Sequence, residues 1–146
     1  MSTGPANVRQ AVFVDTSAHY ALVDTKDTNH QSARAIGRQL ATQHTRLVTT
    51  NFILAETHAL LLSRVGRPAA LAFLDRIDRS SFTLVRISEA DEREARNIIG
   101  RYNDKDFSLT DATSFSVMER LGLSVAFCFD RNFAQYGVTV LVATQP

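Results

Sequence analysis

Short apolar runs alternate with longer amphipathic stretches along the whole chain. Residues 11–14, Ala-Val-Phe-Val, are a continuous apolar run, as in a parallel strand buried on both faces. A short helical stretch over residues 18–23 follows. Thr28-Asn29-His30-Gln31 has the form of a capping box and predicts a helix to about residue 43. Residues 47–50 read as a second strand. Asn51 is placed to cap the next helix, which runs to about Arg64 and stops at Gly66. Pro68 suits a first helical turn, with Ala70, Phe73, Leu74 and Ile77 on one face. Residues 82–87 form a third strand. Ser88 and Asp91 make a capping box for a helix whose apolar stripe is Ala95, Ile98, Ile99 and Tyr102. A helix from Ser108 to Leu121 ends at Gly122, and residues 125–129 and 138–142 are the fourth and fifth strands. Strands alternating with helices predict an α/β layer architecture with a mostly parallel sheet. In such sheets, ligands bind beyond the carboxyl ends of the strands, where the strand order reverses.

Three carboxylates break this pattern. The first and fourth apolar runs lead directly into Asp15 and Asp130. If those strands are neighbours, the two aspartates lie side by side at the sheet's rim. Glu56 has apolar residues at three and four positions to either side, Phe52, Ile53, Ala59 and Leu60. That places it on a stripe facing the core, where a charge is rare without compensation. Asp111 stands between Phe107 and Phe115 on its helix, but it is also the third residue after Ser108. Partial burial at a site and a Ser-x-x-Asp capping box explain it equally well. A lone aspartate after a strand is more often a turn or cap residue than a ligand, and Glu56 has many arginines available as partners.

Composition narrows the chemistry. The 146 residues, 45% hydrophobic and 21% charged, fit one domain. Residues 1–9, with Gly4-Pro5, read as a flexible lead-in without the apolar segment of a secretory signal, and residues 10–146 as the single domain. No apolar run approaches a membrane span, so the expected location is cytoplasmic, away from membranes. The net charge of +1 gives no bulk attraction to polyanions. Cys128 is the only cysteine and lies in an apolar run, so neither a disulfide nor a thiolate zinc site is expected. His19, His30, His44 and His58 form no zinc-binding spacing and read as structural or surface residues. Phosphate loops and a serine-hydrolase elbow are absent. A receiver domain needs a lysine near its fifth strand, and the only lysines are Lys26 and Lys105. Clustered carboxylates without cysteine suit Mg2+ or Mn2+, and phosphodiester hydrolysis is the natural reaction class.

Four segments resemble, in order, the motifs of PIN-domain nucleases. They are Phe13-Val14-Asp15-Thr16-Ser17, residues 49–57 around Glu56, Ser108-Leu109-Thr110-Asp111-Ala112, and Phe129-Asp130-Arg131-Asn132-Phe133. Chain length and the Leu-Thr-Asp-Ala segment look most like the VapC-type toxins. The resemblance implies a PIN-like α/β/α sandwich on a five-stranded, mostly parallel sheet. It implies Mg2+- or Mn2+-dependent cleavage of RNA. By position, Asp15, Glu56, Asp111 and Asp130 become the catalytic, metal-binding acids, with Asp15 and Asp111 as direct ligands and Asp130 acting through water. Thr16 or Ser17 would orient a ligand or bind phosphate, and Asp106 is a weaker acidic candidate. It also implies a homodimer held inactive by a small antitoxin protein. The other readings are a stand-alone PIN nuclease of RNA maturation or decay, and a noncatalytic RNA- or protein-binding module. The intact acidic set argues against the last.

Overall fold

The structure is a computed structural model that describes residues 10–143; the predicted lead-in lies outside the described residues. The strands are β1 (Val12–Val14), β2 (Leu47–Thr50), β3 (Thr83–Val85), β4 (Val125–Phe127) and β5 (Thr139–Val140). The helices are α1 (Thr16–Val23), α2 (His30–Thr42), α3 (Asn51–Arg64), α4 (Arg67–Arg79), α5 (Glu89–Arg101), α6 (Leu109–Leu121) and α7 (Arg131–Tyr136). The five strands form one sheet in the order β3-β2-β1-β4-β5, and every pairing is parallel. The chain therefore builds outward from β1 to β3, then returns to the other side of β1 with β4. The switch point lies between β1 and β4.

Side chains alternate across the sheet. Phe13 packs with Ile98, Ala112, Phe115 and Phe133 on the α5–α6–α7 face. Val12 and Val14 point the opposite way, toward Ala18, Ala33, Ile36 and Leu40 of α1 and α2. A third cluster joins α1, α3 and α4 through Tyr20, Leu61, Ala70, Phe73 and Ile77. Helices cover both faces of the sheet, and α1 and α3 begin within two residues of the ends of β1 and β2.

Several local expectations are corrected. The proposed box at residues 28–31 does not form: Asn29 makes no side-chain cap, and Asp27 supports the turn instead, accepting from the Asn29 N–H at 2.8 Å. Thr50, not Asn51, caps α3 through its hydroxyl, which accepts from the Ile53 N–H. Asn51 is freed to accept from the Ile87 N–H at 2.8 Å, tying α3 to the end of the β3 segment. Strand β4 stops at Phe127, two residues short of the expected end at residue 129. Helix α7 was not anticipated because six residues are too few to show a helical period. Ile99 is exposed, whereas Ala95 and Ile98 are buried. Both capping boxes, Ser88–Asp91 and Ser108–Asp111, form with both reciprocal hydrogen bonds. Gly122 and Gly137 end α6 and α7 in the left-handed region, at φ of 69° and 106°.

Candidate active site

The switch point is stitched together by backbone and hydroxyl groups. The Asp15 N–H donates to the Phe127 carbonyl at 3.1 Å. The Ser17 hydroxyl accepts from the Phe129 N–H at 2.8 Å and donates to Asp15 Oδ2 at 2.9 Å. The turn after β1 and the turn after β4 are thus fixed to each other by one serine.

Three helices start at this rim, and a carboxylate caps the first turn of each. Asp15 is the N-cap of α1, accepting from the Ser17 N–H. Asp130 is the N-cap of α7, accepting from the Asn132 N–H at 2.9 Å through Oδ1. Asp111 closes the capping box of α6, its Oδ2 accepting from the Ser108 N–H at 3.1 Å. The same Oδ2 accepts from Asn132 Nδ2 at 2.9 Å. Asn132 therefore bridges the two acids, with its backbone on Asp130 and its side chain on Asp111. These bonds fall on one oxygen of each carboxylate: Oδ2 of Asp15, Oδ2 of Asp111 and Oδ1 of Asp130.

Asp15, Glu56, Asp111 and Asp130 line one cavity of about 280 Å³, together with Thr16, Ser17, Tyr20, Asp27, Asn29, Leu60, Arg64 and Phe129. The four acids singled out in the sequence are brought to one place. Glu56 does so differently from the expectation. The core-facing positions of α3 are Ile53, Thr57 and Leu61. Thr57 is accommodated there because its hydroxyl donates to the Ile53 carbonyl at 2.8 Å. Ala59 is exposed and Glu56 half-buried, so Glu56 faces the cavity wall, not the core. Thr16 and Ser17 line the cavity, whereas Asp106 is exposed and stands outside its lining.

Crowding of like charges is visible in the acids' affinities for protons. Burial, with the Asp111 charge adding to it and the Ser17 hydrogen bonds opposing, raises the Asp15 carboxyl from 3.8 to about 7. Asp15 is only 3% exposed. Burial also raises Asp111, reinforced by the charge of Asp130 and opposed by the hydrogen bonds from Asn132 and Ser108. Behind the site, burial pushes the Cys128 thiol up to about 12, with Asp15, Asp130 and Asp111 all contributing. Cys128 is thus inert. His19, on the buried face of α1, is 2% exposed, and its Nε2 meets Thr49 Oγ1 at 3.2 Å. It is structural, as the sequence suggested.

The PIN domain pattern matches residues 12–138. The chain belongs to the PIN-domain family. Within the family it is of VapC type: the 23S rRNA-specific endonuclease VapC20 of Mycobacterium tuberculosis is 36% identical over 127 residues, covering 86% of this chain and 94% of that protein. The crystal structure of VapC20, described as a sarcin–ricin loop cleaving toxin, superposes with a TM-score of 0.83 at 30% identity, covering 90% and 99% of the two chains. The VapBC2 complex of Rickettsia felis, bound to a promoter DNA fragment, shares the fold at a TM-score of 0.68 and 12% identity, over 90% and 98% of the chains. In this PIN domain the residues that sequence reasoning overlooked are Asn132, Tyr20 and Arg64. Asn132 lay inside the fourth motif, two residues after Asp130, where a backbone N–H is expected to meet the capping carboxylate. Tyr20 and Arg64 had a helical signal: they share faces with Thr16 and Glu56 at multiples of four.

Proposed function

We propose that this PIN domain is a divalent-metal-dependent endoribonuclease and the toxin of a two-component toxin–antitoxin pair. The observation that carries the reading is the set of three helix-capping carboxylates at one switch point, with Glu56 lining the same cavity. Its substrate class is structured RNA, by analogy with the 23S rRNA target in the name of its relative VapC20.

The donor set fits Mg2+ or Mn2+. All four acids offer hard carboxylate oxygens. Thr16, a lining residue, has its Oγ1 buried without a hydrogen-bond partner among the described residues, an orphan that a hydrated ion or a phosphate oxygen would satisfy. Among the described residues no three His, Cys, Asp or Glu side chains are close enough to hold an ion together. A pair of carboxylates with water completing the shell is the arrangement that remains, and it suits Mg2+, which keeps several waters. Asp15 and Asp111, the two buried acids whose charges repel, are the pair we assign to it, with Asp130 reaching it through water. When bound, the ion supplies neutralisation of the acids and polarisation of the scissile phosphate.

The chain's own groups do the rest. Ser17 holds Asp15, and Asn132 holds Asp111 and Asp130, so the three carboxylates keep their relative orientation before substrate arrives. Glu56 lines the same cavity from a separate helix, half-buried, with no hydrogen bond or ion pair among the described residues. We assign it the proton from the attacking water. The antitoxin and a homodimer are part of the same proposal, on the strength of the VapC relationship.

Incubation of the purified protein with total RNA, with and without Mn2+, followed by mapping of the cut ends, tests the activity. Discrete cuts that depend on the metal and vanish in Asp111→Asn are expected. Undiminished cutting after thorough chelation would refute the metal mechanism. Light scattering measures the oligomeric state. A short reading frame beside the gene, whose product co-purifies and blocks cleavage, is the expected partner.

A further inference from the structure

The acids and their ion address one phosphate, yet an RNA strand presents a charge at every nucleotide. The five acidic residues lining the cavity, Asp15, Asp27, Glu56, Asp111 and Asp130, would repel its neighbours. Arg64 is the one cation among the lining residues. It lies on α3 two and one turns beyond Glu56 and Leu60, at spacings of four, so all three share one stripe. Helical side chains lean toward the N-terminus, which along α3 is the direction of Leu60 and Glu56.

The guanidinium is also braced. It sits over the Tyr20 ring, 5.5 Å from the centroid. Tyr20 is 8% exposed and packed with Leu61, Ala70 and Phe73, and its hydroxyl donates to Asp24 Oδ2 at 2.7 Å. The platform is therefore fixed at both ends. No carboxylate lies within ion-pair distance of Arg64 among the described residues. Its side chain is exposed, and its fork of N–H donors matches a phosphate. A cation in the last turn of α3 also complements the helix end. That role accounts for a positive residue there, but not for its seat on a buried tyrosine at the rim of an acidic cavity.

We propose that Arg64, braced on Tyr20, binds a phosphate flanking the scissile one and so fixes where the RNA strand lies across the acids. The inference rests on the ribonuclease reading above. The probe is a 5′-labelled synthetic hairpin of the sarcin–ricin loop; if total RNA is cut elsewhere, it is the hairpin carrying the mapped cut. Steady-state cleavage is measured over a range of salt concentrations for the wild type, Arg64→Gln and Arg64→Lys. A contact made equally in the ground and transition states appears in KM. Arg64→Gln should raise KM about tenfold or more, as one charge-assisted bond is lost, with kcat changed less than about threefold. The salt dependence of log KM should fall by about 0.7, the single-strand value for one phosphate. Arg64→Lys keeps the charge and should keep the wild-type salt slope. An unchanged KM and salt slope in Arg64→Gln, or a loss confined to kcat, overturns the proposal while the ribonuclease reading stands. Failure of the wild type to cut any RNA overturns both.

Discussion

Replacing Asp15 by asparagine should make the metal-free protein more stable while it destroys cleavage. The two side chains are nearly isosteric, and the asparagine oxygen can still accept from Ser17. What disappears is the charge. Burial first, then the Asp111 charge, raises the Asp15 carboxyl from 3.8 to about 7. Each unit is worth about 1.4 kcal/mol, so at pH 8 the ionised wild type carries a penalty on the order of 4 kcal/mol. Asparagine must bury an amide in exchange, which leaves an expected net gain of about 2–3 kcal/mol. For a domain of this size that is roughly 5–10 °C in Tm. The sign of the pH dependence follows from the direction of the shift. Between 3.8 and about 7 the folded state holds a proton that the unfolded state has released. Wild-type stability from this group therefore falls as pH rises through that window and levels off above it. At pH 5 the penalty has shrunk to about 2 kcal/mol, and the mutant's advantage should nearly vanish. Urea unfolding in EDTA at pH 8 and pH 5 measures both quantities. Excess Mg2+ should then stabilise the wild type more than the mutant, by about 2.7 kcal/mol at a hundred times Kd if asparagine no longer binds it. A mutant no more stable than the wild type at pH 8, or a gain equal at both pH values, would refute the reasoning.

Other substitutions probe separate parts of the structure. Thr16→Val removes the orphaned hydroxyl; it should leave metal-free stability unchanged or raise it by about 1 kcal/mol, and it should lower cleavage, both read in the assays above. Arg120→Ala breaks the ion pair with Asp91, whose side chain is 3% exposed and receives both guanidinium bonds at 3.0 Å. The capping box still satisfies Asp91 in part, so a loss of about 1–3 kcal/mol in urea unfolding, with kcat unchanged, is expected. His19 is held neutral, burial and then the Arg76 charge lowering it from 6.5 to about 3. Its contribution is complete above pH 6.5 and is lost as pH falls below it, by about 1.4 kcal/mol per unit. His19→Gln should flatten that acid limb in unfolding midpoints measured from pH 4 to 7. This slope opposes that of Asp15, so only the difference between Asp15→Asn and wild type isolates the acid site.

Much of the fold was legible because it is written in local terms. Continuous apolar runs marked strands buried on both faces, and two capping boxes marked the starts of α5 and α6 to the residue. The sheet order was not legible, because nothing local says that β4 returns beside β1. Nor was the cap of α3: Thr50 and Asn51 are both good caps, and only the distant Ile87 N–H decides between them by claiming Asn51. Glu56 was singled out for a partly wrong reason. A stripe read at three- and four-residue spacings cannot fix its own angular centre, and the true centre passes through Thr57. Asn132 and Arg64 were overlooked because a polar residue on a helix end or an exposed face is unremarkable until its neighbour across the cavity is known.

Asp111 was left between two explanations, a capping role and a place in the site, and in the structure it both closes the capping box and lines the cavity. A carboxylate that caps a helix commits one oxygen to backbone donors, which fixes its rotamer and leaves the second oxygen outside those bonds. That arrangement recurs at Asp15, Asp111 and Asp130. Capping, together with the side chains of Ser17 and Asn132, thus fixes these three acids along the wall of one cavity. It also offsets part of their burial, since each sits at the positive end of a helix. Yet capping alone does not require these residues. Asparagine and serine cap about as well as aspartate and bring no charge to desolvate. At Asp15 the charge remains unfavourable even after the cap, as its pKa of about 7 records. The cap explains where the oxygens are; it does not explain why they are ionisable. The cation proposed above would, which is why the comparison of aspartate with asparagine, with and without Mg2+, separates the two roles that the sequence could only superimpose.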